Sequence, residues 1–178
     1  MTQDHGTVKK LPYLEGDWVA VPLRGEAGWG VGRISRMAPR GRALVGYFFG
    51  DRFPTLPTLR QVSHLKPDQA VLIRRFGDLG LIRGEWKVIG GASDFDRSVW
   101  PMPKFKRIDP SGYAFLVVYP DDNPGARAKE FLATDEDVRD LPDGGGYGSG
   151  LIEILLSRRP PYLATVAIDP PSPDAPWQ

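Results

Sequence analysis

Apolar and polar residues alternate first at Asp17 to Leu23, where Val19, Val21 and Leu23 share one face and Trp18 and Ala20 the other, so the segment reads as a strand. Pro22, with no N–H to give to a ladder, marks an edge position or the end of that strand. Trp29 to Ile34 follows as a second strand whose Gly30 and Gly32 leave one face nearly bare, a pattern suited to close backbone approach or strong curvature. A third, Ala43 to Phe49, is reached across a Pro39-Arg40-Gly41 turn. Pro54, Pro57 and Pro67 then cut the chain into short pieces, with Thr58 to Val62 expected to be extended. Ala70 to Phe76 reads as extended or as a helix opening after Pro67-Asp68, since periodicity alone does not separate the two in a short apolar run.

Further along, Gly84 to Gly90 is a strand bounded by glycines, and Pro101 to Pro110 an ordered connection pinned by Pro101, Pro103 and Phe105. Tyr113 to Tyr119 is apolar throughout, as expected of a strand covered on both faces. Thr134 to Leu141 reads as a short helix with Thr134 at its N-cap and acidic residues in its first turn. After a glycine-rich hinge at 144–150 comes a helix from Leu151 to Arg159, capped by Ser149 and stopped by Pro160-Pro161. Tyr162 to Ile168 returns as a strand, and Pro170 to Gln178 is an extended, proline-rich tail. The pattern gives a flexible segment at 1–12, one mostly β domain at 13–169 and the tail at 170–178. The expected fold is α+β dominated by bent antiparallel sheet, an SH3-like barrel at its N-terminal end, with one or two short helices near the C-terminus.

Composition sharpens this picture. The 21 Gly and 18 Pro of 178 residues are about twice average usage, which favours short strands and turns over a helix bundle or coiled coil. Five Trp, six Tyr and eight Phe argue against disorder. The absence of cysteine removes disulfides, thiolate nucleophiles and Cys-ligated metals. No apolar run approaches the roughly 20 residues of a membrane span, and Met1 to Lys10 has no signal-peptide core, so a soluble cytoplasmic protein is expected.

The net charge of +1 conceals a segregation, with residues 1–112 carrying +7 and residues 113–178 carrying −6. The acidic half concentrates its charge in Asp121, Asp122, Glu130, Asp135, Glu136, Asp137, Asp140, Asp143 and Glu153. Such a region steers a cationic protein partner; a merely solvated helix and its loops would look the same. In the basic half, Arg33, Arg36, Arg40, Arg42 and Arg52 lie within or beside strands that also hold Tyr47, Phe48 and Phe49, a pairing suited to nucleic acid through phosphate contact and base stacking. Strand aromatics are more often core, however, and no RNA-recognition signature accompanies them.

Catalytic registers fail. A nucleophile elbow centred on Ser149 needs glycine where Tyr147 stands. A dinucleotide fingerprint from Gly144 needs a glycine where Ser149 stands, and no Gly-Lys-Ser/Thr phosphate loop occurs. His5 and His64 make no metal triad, and the Asp94/Asp96 and Asp121/Asp122 pairs fall in turn-like contexts. No catalytic residue, metal or cofactor is implied.

Six pieces taken in order carry a resemblance: Tyr13 to Leu23, Gly30 to Ile34, Tyr47 to Phe49, Phe76-Gly77-Asp78-Leu79-Gly80-Leu81, Gly84-Glu85-Trp86-Lys87-Val88-Ile89-Gly90 and Pro101 to Phe105. Over about residues 13–109 the chain resembles the immunity protein 26 family of bacterial polymorphic toxin systems, Gly77-Asp78 followed by Gly84-x-Trp86 and Ile89-Gly90 being the most distinctive pieces. The resemblance implies a mostly β domain that binds and neutralises a toxin delivered between competing bacteria, in the producer's cytoplasm. It brings no catalytic residues. Within the motif, Gly16, Gly77, Gly84 and Gly90 are expected at turns and Trp86 as a core anchor. The favoured partner is a toxin domain, basic as a nuclease would be, met by Asp121, Asp122, Asp135, Glu136, Asp137, Asp140 and Asp143. The alternative is a nucleic-acid-binding module using Arg33, Arg36, Arg40, Arg42 and Tyr47.

Overall fold

In the computed structural model, which describes residues 10–25 and 28–158, the alternation at the start of the chain becomes strand β1 (Trp18–Pro22). Val19, Val21 and Leu23 enter one buried cluster and Trp18 another, as their spacing requires. Next come β2 (Trp29–Met37), β3 (Ala43–Phe53), β4 (Leu72–Gly77) and β5 (Lys87–Gly90). With β9 (Gly146–Tyr147) they form a six-stranded sheet in the order β5-β1-β2-β3-β4-β9, antiparallel except for the last pair. A second sheet is the antiparallel meander of β6 (Phe105–Ile108), β7 (Ala114–Val118) and β8 (Lys129–Ala133). The protein is thus mostly β, with nine strands in two sheets among the described residues. No described sheet closes on itself: β5 and β9 remain separate edges, so the expected SH3-like barrel is not seen.

Both faces of the large sheet are covered, which explains why β3 is buried over seven consecutive residues. On one face Leu44, Phe48 and Phe76 pack with Trp86, with Leu81 of helix α2 (Leu79–Ile82), and with Ile152 and Leu156 of helix α4 (Ser149–Arg158). On the other, Tyr47 and Phe49 pack with Trp18, Trp100, Leu65 and Val62 of helix α1 (Leu59–Val62). A third cluster, Val45, Phe105 and Val117, joins the two sheets. The bare face of β2 has its use here: a Cβ at Gly32 would lie 2.4 Å from the Phe48 ring. Gly16, Gly84 and Gly90 take positive φ, as turn glycines do, whereas Gly77 ends β4 with an ordinary backbone.

Several expectations need correction. Thr58 to Val62 is not extended: Thr58 and Gln61 make a capping box that opens α1. The connection at 101–110 contains strand β6, fastened by the fully buried Phe105. Tyr113 to Tyr119 is not covered on both faces, since only Ala114 and Val117 are buried and Tyr113 is 61% exposed. The physical reason is that the small sheet meets the large one through Phe105 and Val117, and the helix that contacts β7, α3 (Asp135–Val138), is a single turn and too short to cover the rest of the strand. The glycine stretch at 144–150 is pinned, not hinged, because Gly144 donates to the Lys106 carbonyl and Gly146-Tyr147 pairs with Arg75-Phe76. Helix α4 begins at Ser149, two residues earlier than expected. The expected strand at 162–168, residues 1–9 of the flexible segment expected at 1–12, and the tail at 170–178 lie outside the described residues, while Leu11 packs against the core. No helix among the described residues is long and apolar enough to cross a membrane.

Candidate functional site

The two charged sets identified in the sequence meet at one place, where the β2–β3 turn faces the 120–125 turn. Asp121 is the junction. Its Oδ1 accepts from Arg36 Nε at 2.8 Å, and its Oδ2 lies 3.2 Å from Nη1 of Arg97, which holds Glu15 bidentately. Arg36 also donates to the carbonyls of Ser35 and Trp100, so this guanidinium, 3% exposed, ties β2 to the segment before β6. Strict alternation would put Arg33 and Arg36 on opposite faces of β2. A register shift between Ile34 and Arg36 brings both to Trp100.

Arg33, 6% exposed, sits among three rings, its guanidinium carbon 5.0 Å from the Trp18 centroid, 5.2 Å from Phe95 and 4.8 Å from Trp100. It donates to the carbonyls of Gly16 and Gly91. Burial lowers its pKa, opposed by the charges of Asp94 and Asp17. Tyr47 is also interior, donating to the Pro101 carbonyl, and burial pushes its pKa up to about 12. Phe48 and Phe49 are buried as well, so the stacking surface expected beside the arginines faces the core. Of the five residues named for nucleic acid, Arg40 and Arg42 alone stand at the surface.

Those two arginines line an open cleft of about 550 Å³ together with Gly41, Arg75, Asn123 and Gly125. Arg42 is the one non-glycine described residue with positive φ, at 70°. Its backbone is held there by Asp78, whose Oδ2 accepts from Arg42 N at 2.9 Å and from the Tyr13 hydroxyl at 2.6 Å. Burial first, then the hydrogen bond to Asp78, raises the Tyr13 pKa well above the ordinary phenol value. Asp78 belongs to the distinctive Gly77-Asp78 pair, so that piece of the pattern fixes the shape of the β2–β3 turn. The Gly84-x-Trp86 piece is structural too. Trp86 stacks on Phe76 and donates its indole N–H to the buried Glu153, which also pairs with Arg24.

The acidic residues divide by what they already hold. Asp121 is engaged by Arg36 and Arg97; Asp137 closes a capping box with Thr134, whose hydrogen bonds lower its pKa; Asp143 accepts from Gly145 N. Glu130 pairs with Arg107. Asp122, Asp135, Glu136 and Asp140 are exposed and make no side-chain hydrogen bond or ion pair among the described residues. His64 is exposed on the rim of a second cleft of about 380 Å³, whose lining includes Arg33, Lys66, Asp94 and Trp100. Among the described residues no three His, Cys, Asp or Glu side chains are placed to share a metal ion. What the site offers is charge in fixed positions. Sequence reasoning missed Arg75 and Asp78 as parts of it, although the Arg74-Arg75 pair and the Gly77-Asp78 motif were both visible.

Compared with known proteins, the chain matches the family model described as Immunity protein 26 over residues 14–115, more than half its length. That range holds β1 to β6 and the first two residues of β7, including the whole of the Arg40–Arg42 turn and Asp78, and it stops before the acidic region. Neither the curated proteins nor the solved structures contain a match.

Proposed function

Because the chain belongs to the immunity protein 26 family, we propose that it binds a cognate toxin of a bacterial polymorphic system and neutralises it by stoichiometric occlusion, without catalysis, in the cytoplasm of the producing cell. The observation that carries this reading is the family match over residues 14–115, within which the distinctive residues do structural work in this chain. Asp78 shapes a surface turn, and Trp86 anchors the core beneath helix α4.

The partner is a basic protein surface, such as that of a nuclease. Asp122, Asp135, Glu136 and Asp140, whose side chains are uncommitted among the described residues, supply the long-range attraction, which raises the association rate more than the final affinity. Asp121, Asp137 and Asp143 act at one remove, because each already fixes local structure. Occlusion needs only a surface of ordinary interface size, about 800 Å² on each partner.

Co-expression tests the reading. The toxin domain encoded by the adjacent gene is produced with and without this chain. Growth is expected to be lost with the toxin alone and restored with both, and the two proteins to co-purify. Continued killing in the presence of well-folded chain, with no complex formed, refutes the proposal.

A further inference from the structure

The cleft beside the β2–β3 turn carries a more specific assignment, which rests on the immunity reading. Three arginines, Arg40, Arg42 and Arg75, line it, and among the described residues no acidic one does. Their preparation differs. Arg75 is held in place, Nε donating to the Pro124 carbonyl at 2.7 Å and its guanidinium carbon 4.7 Å from the Tyr119 centroid, while its terminal nitrogens, beside Gly146, make no hydrogen bond among the described residues. A guanidinium fixed in this way presents its remaining donors as a fork that matches a carboxylate or phosphate. Arg40 and Arg42 are exposed and their side chains have no intramolecular partner among the described residues.

The backbone adds an independent observation. Arg42 adopts a left-handed conformation in which glycine is at ease and a side chain is strained, and the protein holds it there through Asp78 and, behind Asp78, the buried Tyr13. Strain maintained by surrounding structure is characteristic of a side chain kept for contact with something else. We propose that this cleft seats an acidic side chain of the partner protein, with the carboxylate held between Arg75 and the Arg40–Arg42 turn.

Nucleic acid fits the same cleft less well. A phosphate backbone needs an extended cationic track, and single-stranded nucleic acid adds exposed aromatic faces for stacking. Here the nearby strand aromatics are buried, and Asp121 and Asp122 flank the cleft through the turn that supplies Asn123 and Gly125. Those two carboxylates repel a continuous polyanion but leave room for one partner carboxylate, and Asp122, whose side chain has no partner among the described residues, offers a cation of the partner a seat alongside. An alternating pattern of this kind sets register in a protein–protein interface and penalises wrong partners.

The test compares three forms of the full chain by calorimetric titration with the toxin domain encoded by the adjacent gene: unsubstituted, Arg40→Gln with Arg42→Gly, and a control with Arg60→Gln and Arg83→Gln. The control removes the same charge from exposed arginines that do not line the cleft. Because Arg42→Gly relieves backbone strain, weakened binding by the first variant does not come from unfolding, which its thermal midpoint checks. The cleft variant is expected to bind about ten- to a hundredfold more weakly and the control to bind like the unsubstituted chain. Equal affinity in all three, or equal loss in both variants, overturns the cleft assignment while leaving the immunity reading intact. If the unsubstituted chain does not bind the toxin, both fall. A parallel titration with a 20-base-pair DNA duplex decides the occupant: binding that depends on Arg40 and Arg42 overturns the carboxylate assignment in favour of phosphate.

Discussion

Asp78→Ala is the substitution most informative about how the family motif shapes the surface. One carboxylate oxygen, Oδ2, accepts from both the Tyr13 hydroxyl at 2.6 Å and Arg42 N at 2.9 Å. Tyr13 is 1% exposed, so its hydroxyl would be left buried without an acceptor, at a cost of about 1.5–3 kcal/mol for a bond to a charged group. The Arg42 N–H lies at an exposed residue, where water replaces the lost acceptor, adding about 0.5–1 kcal/mol. Helix α2 loses nothing further, since Asp78 makes no side-chain cap bond to it. The total of about 2–4 kcal/mol corresponds to a fall of about 6–10 °C in thermal midpoint for a chain of this length. Asp78→Asn is the control: an amide oxygen in the Oδ2 position still accepts both bonds, so the loss should stay below about 1 kcal/mol. The Tyr13 pKa should fall in the Ala variant yet stay above the ordinary phenol value, because burial is the larger cause of its elevation. Circular-dichroism melts and spectrophotometric tyrosine titration read both quantities. An Ala variant that melts with the unsubstituted chain, or an Asn variant as damaged as Ala, refutes the reasoning.

Substitutions at three other positions and one pH profile probe the rest of the structure. Glu153→Leu leaves the buried Trp86 N–H without an acceptor and should cost about 1–3 kcal/mol by urea denaturation, whereas Glu153→Gln keeps that bond, loses the Arg24 contact and should cost about 1 kcal/mol. Gly32→Ala drives a methyl group to 2.4 Å from the fully buried Phe48 ring and should destabilise by about 1–3 kcal/mol. Gly148→Ala meets nothing within 4 Å and should be neutral or gain up to about 1 kcal/mol; a larger loss there than at Gly32 would contradict the packing. Tyr13 and Tyr47 both have folded-state pKa values raised by burial, Tyr47 to about 12, so their contribution to stability is complete below the unfolded value near 10 and drains away as pH rises towards 12. Denaturation midpoints should therefore fall above about pH 10, and less steeply in Tyr47→Phe; a profile identical in the two proteins would count against a buried hydroxyl.

The strands of the large sheet were legible wherever alternation and glycine coincided. Trp18 and Val19 went to opposite faces, Gly32 marked the seat of Phe48, and Trp86 was an anchor in the core. Strand β8 was not, because Lys129 to Ala133 lies on the exposed edge of a small sheet with Leu132 70% exposed, and an edge strand with little burial imposes no period. Helix α1 was missed although Thr58 and Gln61 spell a capping box, since one turn is too short to display a helical period. The arginines gave the most misleading signal. Charged residues in a strand read as surface, yet Arg33 and Arg36 are buried, satisfied by backbone carbonyls, aromatic rings and Asp121. The bulge that brings both to Trp100 depends on pairing with β3, and a single strand's sequence does not encode it. The same limit hid the cleft, whose arginines come from β4 and the β2–β3 turn and whose far wall belongs to residues 123–125.

Stoichiometric occlusion is tested most directly by titrating the purified toxin domain with this chain and following the toxin's own activity. Activity is predicted to fall linearly and reach its floor at one chain per toxin, with the inhibited toxin recovering full activity when the complex is separated under denaturing conditions and the toxin refolded. Loss of activity at a small fraction of one equivalent, with the toxin permanently altered, would contradict the account, because that is the behaviour of an enzyme acting on the toxin and not of a protein that covers it.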